Sequence, residues 1–422
     1  MSPDNVNLLL SDDEVPMATP EQLSLVHEKD YVRFLQGMCL RYDAGPDVNL
    51  PSDPEVLRFS PLVVSRLFPE QEQRAYFGAS KHVTSATRFS PGSYRAALRS
   101  AGAVVRAVEI VLGDEFEAQR AFCIVRPPGH HAGPLGYSPE AGGCGFCLVN
   151  NVMVGAAEAM RLYPGLRVAV VDIDVHHGNG SQDIVDRKLA FMPLLYCSIH
   201  LREAFPGEPD MDFFPGSGAE RDDEQVLNVP VTPLWTVPAA APAKAAKGGG
   251  KRAGAGAGRE QPRSKRARAG ELPDNPPEPV GASPRDQREQ PSLGQASPGA
   301  ACNRGGAPSA TLRAGRAGWR DGVEHRIIPK LQLFKPDLII MSSGFDACFL
   351  DEGCMQDGQS GLDLTEEDFR WATELIVNKG GAERIVSVLE GGYGRWTGEG
   401  YDHAPFADCV MAHVAALLEN RP

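Results

Sequence analysis

Five stretches of the chain are apolar almost throughout instead of alternating with polar residues: 121–125 (AFCIV), 166–175 (LRVAVVDIDV), 194–199 (LLYCSI), 337–341 (DLIIM) and 384–389 (RIVSVL). A strand with one wet face alternates with a period of two, whereas a strand covered on both faces reads as a continuous apolar run. Other segments switch to apolar spacings of three and four, as helices do: 95–112 (RAALRSAGAVVRAVEIVL), 150–163 (NNVMVGAAEAMRLY) and 365–381 (TEEDFRWATELIVNKGG). The last opens with Thr365 as an N-cap, places acids in the first turn and ends at Gly380-Gly381. Buried strands interleaved with helices predict an α/β fold, a single domain with a mostly parallel central sheet and helices on both faces.

The pattern collapses between 236 and 318, where Ala, Gly, Pro, Ser and Arg dominate and few residues suit a core. This stretch reads as a low-complexity, basic, disordered insertion. The flanks, 1–235 and 319–422, read as two parts of one domain, since loop closure costs only logarithmically more as a loop lengthens. The insertion carries 14 Lys/Arg against 6 Asp/Glu, so the rest of a chain of net charge −13 stands at a formal −21. That balance argues against a direct nucleic-acid site. Within the insertion, Lys251-Arg252 and the cluster Arg263, Lys265, Arg266 have the spacing of a bipartite nuclear-import signal. No apolar run reaches the roughly 20 residues of a membrane helix, and the N-terminus lacks the basic and apolar regions of a secretory signal. Nine cysteines without a spacing framework suit a reducing compartment.

In a parallel sheet, ligands gather at the carboxyl ends of the strands. Here those ends are rich in chemistry: His130-His131 after the first run, His176-His177 after the second, His200 after the third, Asp346 after the fourth and Tyr393 after the fifth. Alternation along a strand projects Asp172, Asp174 and His176 to one side. Carboxylates so close repel unless a cation lies between them. Two carboxylates and an imidazole suit zinc, with Asp174, His176 and Asp346 as ligands and one position open. His130 and His131 behind Pro-Pro-Gly read as an acid/base pair, and Tyr393 as a donor to an oxyanion. Cys144 and Cys147 have C-x-x-C spacing without a second pair, which argues against a structural zinc. Phe146 and Phe214 stand in Gly-rich loops, where aromatics can wall a narrow channel.

The motifs RPPGHHA, GFCLVNN, VDIDVHHGNG, SIH, FFPGSG, PDLIIMSSGFDA and LEGGYG occur in the order of the zinc-dependent histone deacetylases, and most resemble the class II branch. The resemblance covers 15–235 and 319–418. It implies the arginase/deacetylase fold and hydrolysis of the acetyl-lysine amide, with one zinc on Asp174, His176 and Asp346. It also implies His130, His131 and Tyr393 as catalytic groups, and Gly145, Phe146 and Phe214 along the substrate tunnel. Asp172 would orient His130 and join Ser198 and main-chain carbonyls, Ile199 among them, in a structural potassium site. Asn179 stands where class I enzymes place an aspartate behind the second histidine. The family's usual first strand has no counterpart before 19–35 (TPEQLSLVHEKDYVRFL), and the loop at 347–361 departs from the common pattern.

The resulting expectation is a protein lysine deacetylase acting on histone tails or other proteins in chromatin regulation, with corepressor subunits as partners. It would reside in the nucleus, shared or not with the cytoplasm, and would have no membrane segment. The rival readings are a deacetylase of small acetylated amines such as acetylpolyamines, and a catalytically impaired chromatin scaffold.

Overall fold

A computed structural model describes residues 14–43, 57–58, 87–90, 92–114, 117–136, 144–202, 214–215, 220–234, 314–356 and 358–419. The basic import tract and nearly all of the 236–318 stretch lie outside the described residues, as do residues 1–13.

The main sheet has six strands: β1 (Arg120–Cys123), β2 (Val168–Asp172), β3 (Leu194–Leu201), β4 (Val226–Val231), β5 (Leu338–Ser343) and β6 (Arg384–Leu389). Their spatial order is β1-β6-β5-β2-β3-β4, and every neighbouring pair is parallel. The expected α/β architecture is therefore present. Alternate residues of each strand enter two separate apolar clusters. Val168, Val170, Leu338, Ile340, Val386 and Val388 face one side. Ala169, Val171, Ile339, Met341 and Ile385 face the other. Each of these Val, Leu, Ile and Met side chains, taken fully out of water, contributes roughly 1.5–3 kcal/mol.

On the first side pack α1 (Lys29–Asp43), α2 (Ser93–Leu112), α3 (Asn151–Leu162) and α4 (Asn179–Arg187). The second side is covered by α5 (Gly315–Gly322), α6 (Ile328–Phe334), α7 (Glu366–Lys379) and α8 (Ala404–Leu418). A five-residue π turn, Val323–Ile327, joins α5 to α6. Pro329 just beyond it has no N–H to return to His325, which removes one α-helical hydrogen bond at that joint. Thr365 caps α7 in a reciprocal box with Asp368, as the sequence predicts. None of the described helices is long and apolar enough to cross a membrane.

Two expectations need correction. Strand β2 ends at Asp172 and not at Val175, because the chain bends as soon as its polar groups begin. Strand β4 is not among the predicted strands. Its Asn228 and Pro230 interrupt the apolar pattern, and a proline that cannot donate is tolerated there because β4 is an edge strand.

The described residues within 1–239 and 311–422 belong to one compact unit, and 240–310 lie outside the described residues. In that unit, Thr232 pairs with Ala314 in a parallel bridge, and Gly315 N–H donates to the Thr232 carbonyl at 2.9 Å. Helix α5 begins at Gly315, inside the 236–318 stretch, so the bounds read from composition overlap the start of this helix.

Two buried histidines lock the layers. His27 donates from Nδ1 to the Gly133 carbonyl at 2.8 Å and accepts the Asn150 N–H on Nε2 at 3.0 Å. Burial holds its pKa down to about 4. His413 bridges Thr373 and Ser387 at 2.6 and 2.8 Å, and burial holds it down to about 3. Each remains neutral in the fold while its unfolded counterpart takes up a proton near pH 6.5. Stability is thus complete above that pH and falls as pH drops toward 4, by about 1.4 kcal/mol per pH unit for each group. The urea midpoint is expected to decline between pH 7 and 5, and His27→Gln to flatten that decline. An equally steep decline in the variant would contradict the assignment.

Candidate active site

The strand order brings the carboxyl ends of β1, β6, β5 and β2 side by side, and the expected site residues converge there. The bend after β2 carries Asp174 and His176. Its geometry is set by backbone amides: Asp174 N–H donates to Asp172 Oδ1 at 3.2 Å, and His176 N–H to Asp174 Oδ1 at 2.9 Å. The residues therefore do not share one role through strand alternation. Asp172 turns toward His130, whereas Asp174 and His176 turn toward Asp346.

Asp346 enters from beyond β5, with Val175 N–H donating to its Oδ1 at 3.0 Å. His176 Nδ1 lies 3.1 Å from Asp174 Oδ1 and 3.0 Å from Asp346 Oδ2. One donor atom from each of Asp174, His176 and Asp346 lies within 4.8 Å of the others, a set that could hold a metal ion. Both carboxylates are buried. Two glycines make room for them. A Cβ on Gly344 would lie 1.9 Å from Asp174 Oδ2, and one on Gly391 would lie 2.4 Å from Asp346 Oδ2. Burial opposes charge on both acids. The charges of His130 and His176 nevertheless hold Asp174 below the carboxylate range, whereas Asp346, beside Asp174, is left above it.

His130 and His131 stand with ring centroids 3.9 Å apart. His130 Nδ1 donates to Asp172 Oδ2 at 3.1 Å, and its Nε2 lies 3.8 Å from Asp174 Oδ2. Burial alone would keep it neutral, but Asp174 and Asp172 raise its pKa well above the ordinary value. His131 bonds through Nδ1 to Asn179 Oδ1 at 2.8 Å. Asn179 accepts there without supplying charge, and burial plus the neighbouring His130 and His176 press His131 well below the ordinary value. An aspartate behind one histidine and an asparagine behind the other thus split an adjacent pair into a cation and a neutral base.

Tyr393 follows β6. Burial and the nearby Asp346 and Asp174 push its phenol far up, so its hydroxyl stays a donor. The Phe146 ring lies 5.9 Å from Tyr393, and the Phe214 ring 4.9 Å from His131. Cys144 to Cys147 form a tight turn closed by Cys147 N–H to the Cys144 carbonyl at 2.7 Å. In it Gly145 and Phe146 both have positive φ, 49° and 66°. A side chain at Gly145 would strike His131 and Phe214. Ser198 lies in register with Asp172 across β2 and β3, its hydroxyl 2.8 Å from His200 Nδ1. Ile199 sends its side chain into the core near Gly322. His177 turns instead to Gln182 at 3.0 Å and the His200 ring at 4.6 Å.

Sequence reasoning missed three supports. Buried Glu390 accepts from Gly129 N–H at 2.6 Å, His130 N–H at 3.2 Å and the Ser342 hydroxyl at 3.2 Å, and burial lifts its pKa to about 7. Tyr196 donates to Asp172 Oδ2 at 3.0 Å. Asp351 accepts from Tyr393 N–H at 2.9 Å and Gly394 N–H at 2.7 Å. Glu390, a lone acid closing an apolar run, carried the same signal as the other strand ends.

With this geometry in place, comparison with known proteins is decisive. Residues 4–243 and 290–414 match the histone deacetylase domain. The chain belongs to the histone deacetylase family. Type-2 histone deacetylase 2 of Dictyostelium discoideum is 28% identical over 411 residues, 97% of this chain and 18% of that protein. The polyamine deacetylase HDAC10 of Homo sapiens is 27% identical over 396 residues, 92% of this chain and 43% of that protein. The chain thus spans less than half the length of either relative. Among solved structures, the HDA15 HD domain shares the fold with a TM-score of 0.55 and 22% identity, covering 96% of this chain and 77% of that one.

Because Glu390 alone satisfies two buried amides of the histidine loop, Glu390→Ala should cost about 2–4 kcal/mol, and Glu390→Gln, which keeps an acceptor, much less. Urea unfolding of both variants tests this; equal losses would assign the effect to something other than the amides.

Proposed function

We propose that this chain is a zinc-dependent protein lysine deacetylase that hydrolyses the acetyl-lysine amide to lysine and acetate. The observation that carries the reading is the meeting of the Asp174, His176 and Asp346 donors with the split histidine pair, with the Tyr393 ring close to Asp346 beside Gly353. Two buried carboxylate oxygens and one partly buried imidazole nitrogen, facing one another where Gly344 and Gly391 make room for the carboxylates, suit zinc, which in catalytic sites takes three protein ligands and a fourth from outside. Zinc held by these side chains would polarise the acetyl carbonyl and make a nearby water more acidic.

The remaining roles belong to the chain. His131 carries its proton on Nδ1 toward Asn179, so Nε2 is free of a proton and takes one from the attacking water. It then gives that proton to the departing lysine amine. His130, kept cationic by Asp172 and Asp174, offsets the negative charge that develops on the amide, and Tyr393 donates to the carbonyl oxygen as it becomes an oxyanion. Phe146 and Phe214 flank the methylene chain of the substrate. A potassium ion near Asp172 and Ser198, with main-chain carbonyls including that of Ile199, would support the same bend; the register of those two residues supports this part of the reading.

The reading extends to basic protein tails in chromatin, within a nuclear deacetylase complex. An acidic body attracts such tails, and the basic pairs around Lys251 and Lys265 supply an import signal.

Tyr393→Phe is expected to lower kcat about 10²–10³-fold on an acetyl-lysine peptide while keeping one zinc per chain by metal analysis. Asp346→Ala is expected to lose the zinc. Full activity of the Phe variant with zinc bound would remove Tyr393 from the mechanism. Acetylspermidine, assayed beside the peptide, decides the substrate class: a higher kcat/KM on the polyamine would replace the protein-deacetylase reading.

A further inference from the structure

Immediately beyond Tyr393 the chain folds into a small hairpin, β7 (Arg395–Trp396) and β8 (Tyr401–Asp402). Arg395 pairs in register with Asp402, and Trp396 with Tyr401. The turn is closed by Thr397, whose N–H and hydroxyl both donate to the Gly400 carbonyl, at 2.9 and 2.8 Å. The Trp396 and Tyr401 rings meet edge to face at 5.2 Å, and Tyr401 stacks on His403 at 5.9 Å. Single exposed apolar side chains are ordinary on protein surfaces. Here two large aromatics, 51% and 52% exposed, are held against each other on a ribbon too short to have a core of its own.

The hairpin is tied rigidly to the active site. Asp351 accepts from both Tyr393 N–H and Gly394 N–H, and the Gly394 carbonyl accepts Glu352 N–H at 3.0 Å. Trp396 is three positions beyond Tyr393, so their Cα atoms are at most about 11 Å apart. An extended substrate advances about 3.3 Å per residue, so a side chain two or three positions from the reacting lysine is in range. The hairpin's own cation, Arg395, is paired with Asp402 at 2.8 Å, while Glu399 in the hairpin turn and Glu352, whose N–H is held by Gly394, are exposed acids.

We propose that the 395–402 hairpin is a substrate subsite: the Trp396–Tyr401 pair, with Glu399 in its turn and Glu352 on the segment tied to Gly394, receives a lysine or arginine side chain two or three residues from the acetylated lysine. Aromatic faces attract a cation and cover its aliphatic stem, and the carboxylates complete its solvation. The inference rests on the protein-deacetylase reading above and deepens it, assigning the preferred substrate as a basic segment of polypeptide.

The test compares two acetyl-lysine peptides that differ only in flanking residues, Arg and Lys in one and Ala and Gln in the other. In the wild type, kcat/KM for the basic peptide should exceed that for the neutral peptide by about tenfold or more. Trp396→Ala/Tyr401→Ala should collapse that ratio toward one through KM, and Glu399→Gln should lower it about two- to threefold. Trp396→Phe/Tyr401→Phe, which keeps the aromatic faces, should retain most of it. A ratio unchanged in the Ala variant overturns the inference. So does a parallel fall on both peptides, which would mark the hairpin as a prop for Tyr393. Dissociation constants for the same peptides, from fluorescence anisotropy, separate the two levels of the argument. If the wild type cleaves neither peptide, the deacetylase reading fails, and binding that ignores flanking charge in wild type and variant alike then rejects the subsite as well.

Discussion

Four carboxylates, Asp172, Asp174, Asp346 and Glu390, are buried together at one end of a parallel sheet. Such a cluster is costly to fold, because charge in these surroundings must be matched locally. The match comes largely from backbone amides of neighbouring loops. Glu390 beyond β6 holds the histidine loop beyond β1; Asp174 beyond β2 accepts from Gly391 N–H beyond β6, at 3.0 Å; Asp346 beyond β5 accepts from Val175 beyond β2. The strand order β1-β6-β5-β2 is what allows this, since it makes neighbours of the four loops that satisfy one another. Two imidazoles and the candidate metal position complete the balance.

Much of this was legible along the chain. Runs such as LLYCSI and DLIIM are apolar on both parities, which only a sheet covered on two sides requires, and the polar groups that close them are the site. What escaped detection did so for definable reasons. Asn228 and Pro230 hide β4, because an edge strand tolerates residues that a central one excludes. Alternation along β2 is too simple for Asp172, Asp174 and His176, since the chain leaves the strand at Asp172 and amide contacts set the directions afterward. Tyr196 sits inside an apolar run and reads as core, though its hydroxyl serves Asp172. Asp351 and His27 act across distances in sequence that no local pattern reports.

The two histidines show how small a difference in partners is sufficient to divide labour. Their rings touch and both are buried, so desolvation acts on each in the same direction. One has two carboxylates within reach, and the other has an amide oxygen and two cationic neighbours. Asp174 and Asp172 beside one ring, and no carboxylate bonded to the other, set which ring holds charge. A comparison of the histidines themselves would find no distinction.

The bridge between Thr232 and Ala314 gives the catalytic unit an unusual freedom. The chain departs from and returns to a single point on the sheet's edge strand, so the distance that any connecting segment must span is already fixed at one strand spacing. Segment length and composition are thereby separated from the placement of Asp346, Glu390 and Tyr393, all of which follow the return. Such a point is a natural port: foreign sequence long enough to cross back over the sheet, as a parallel pairing demands, can be spliced in there with the two halves of the sheet still meeting in register.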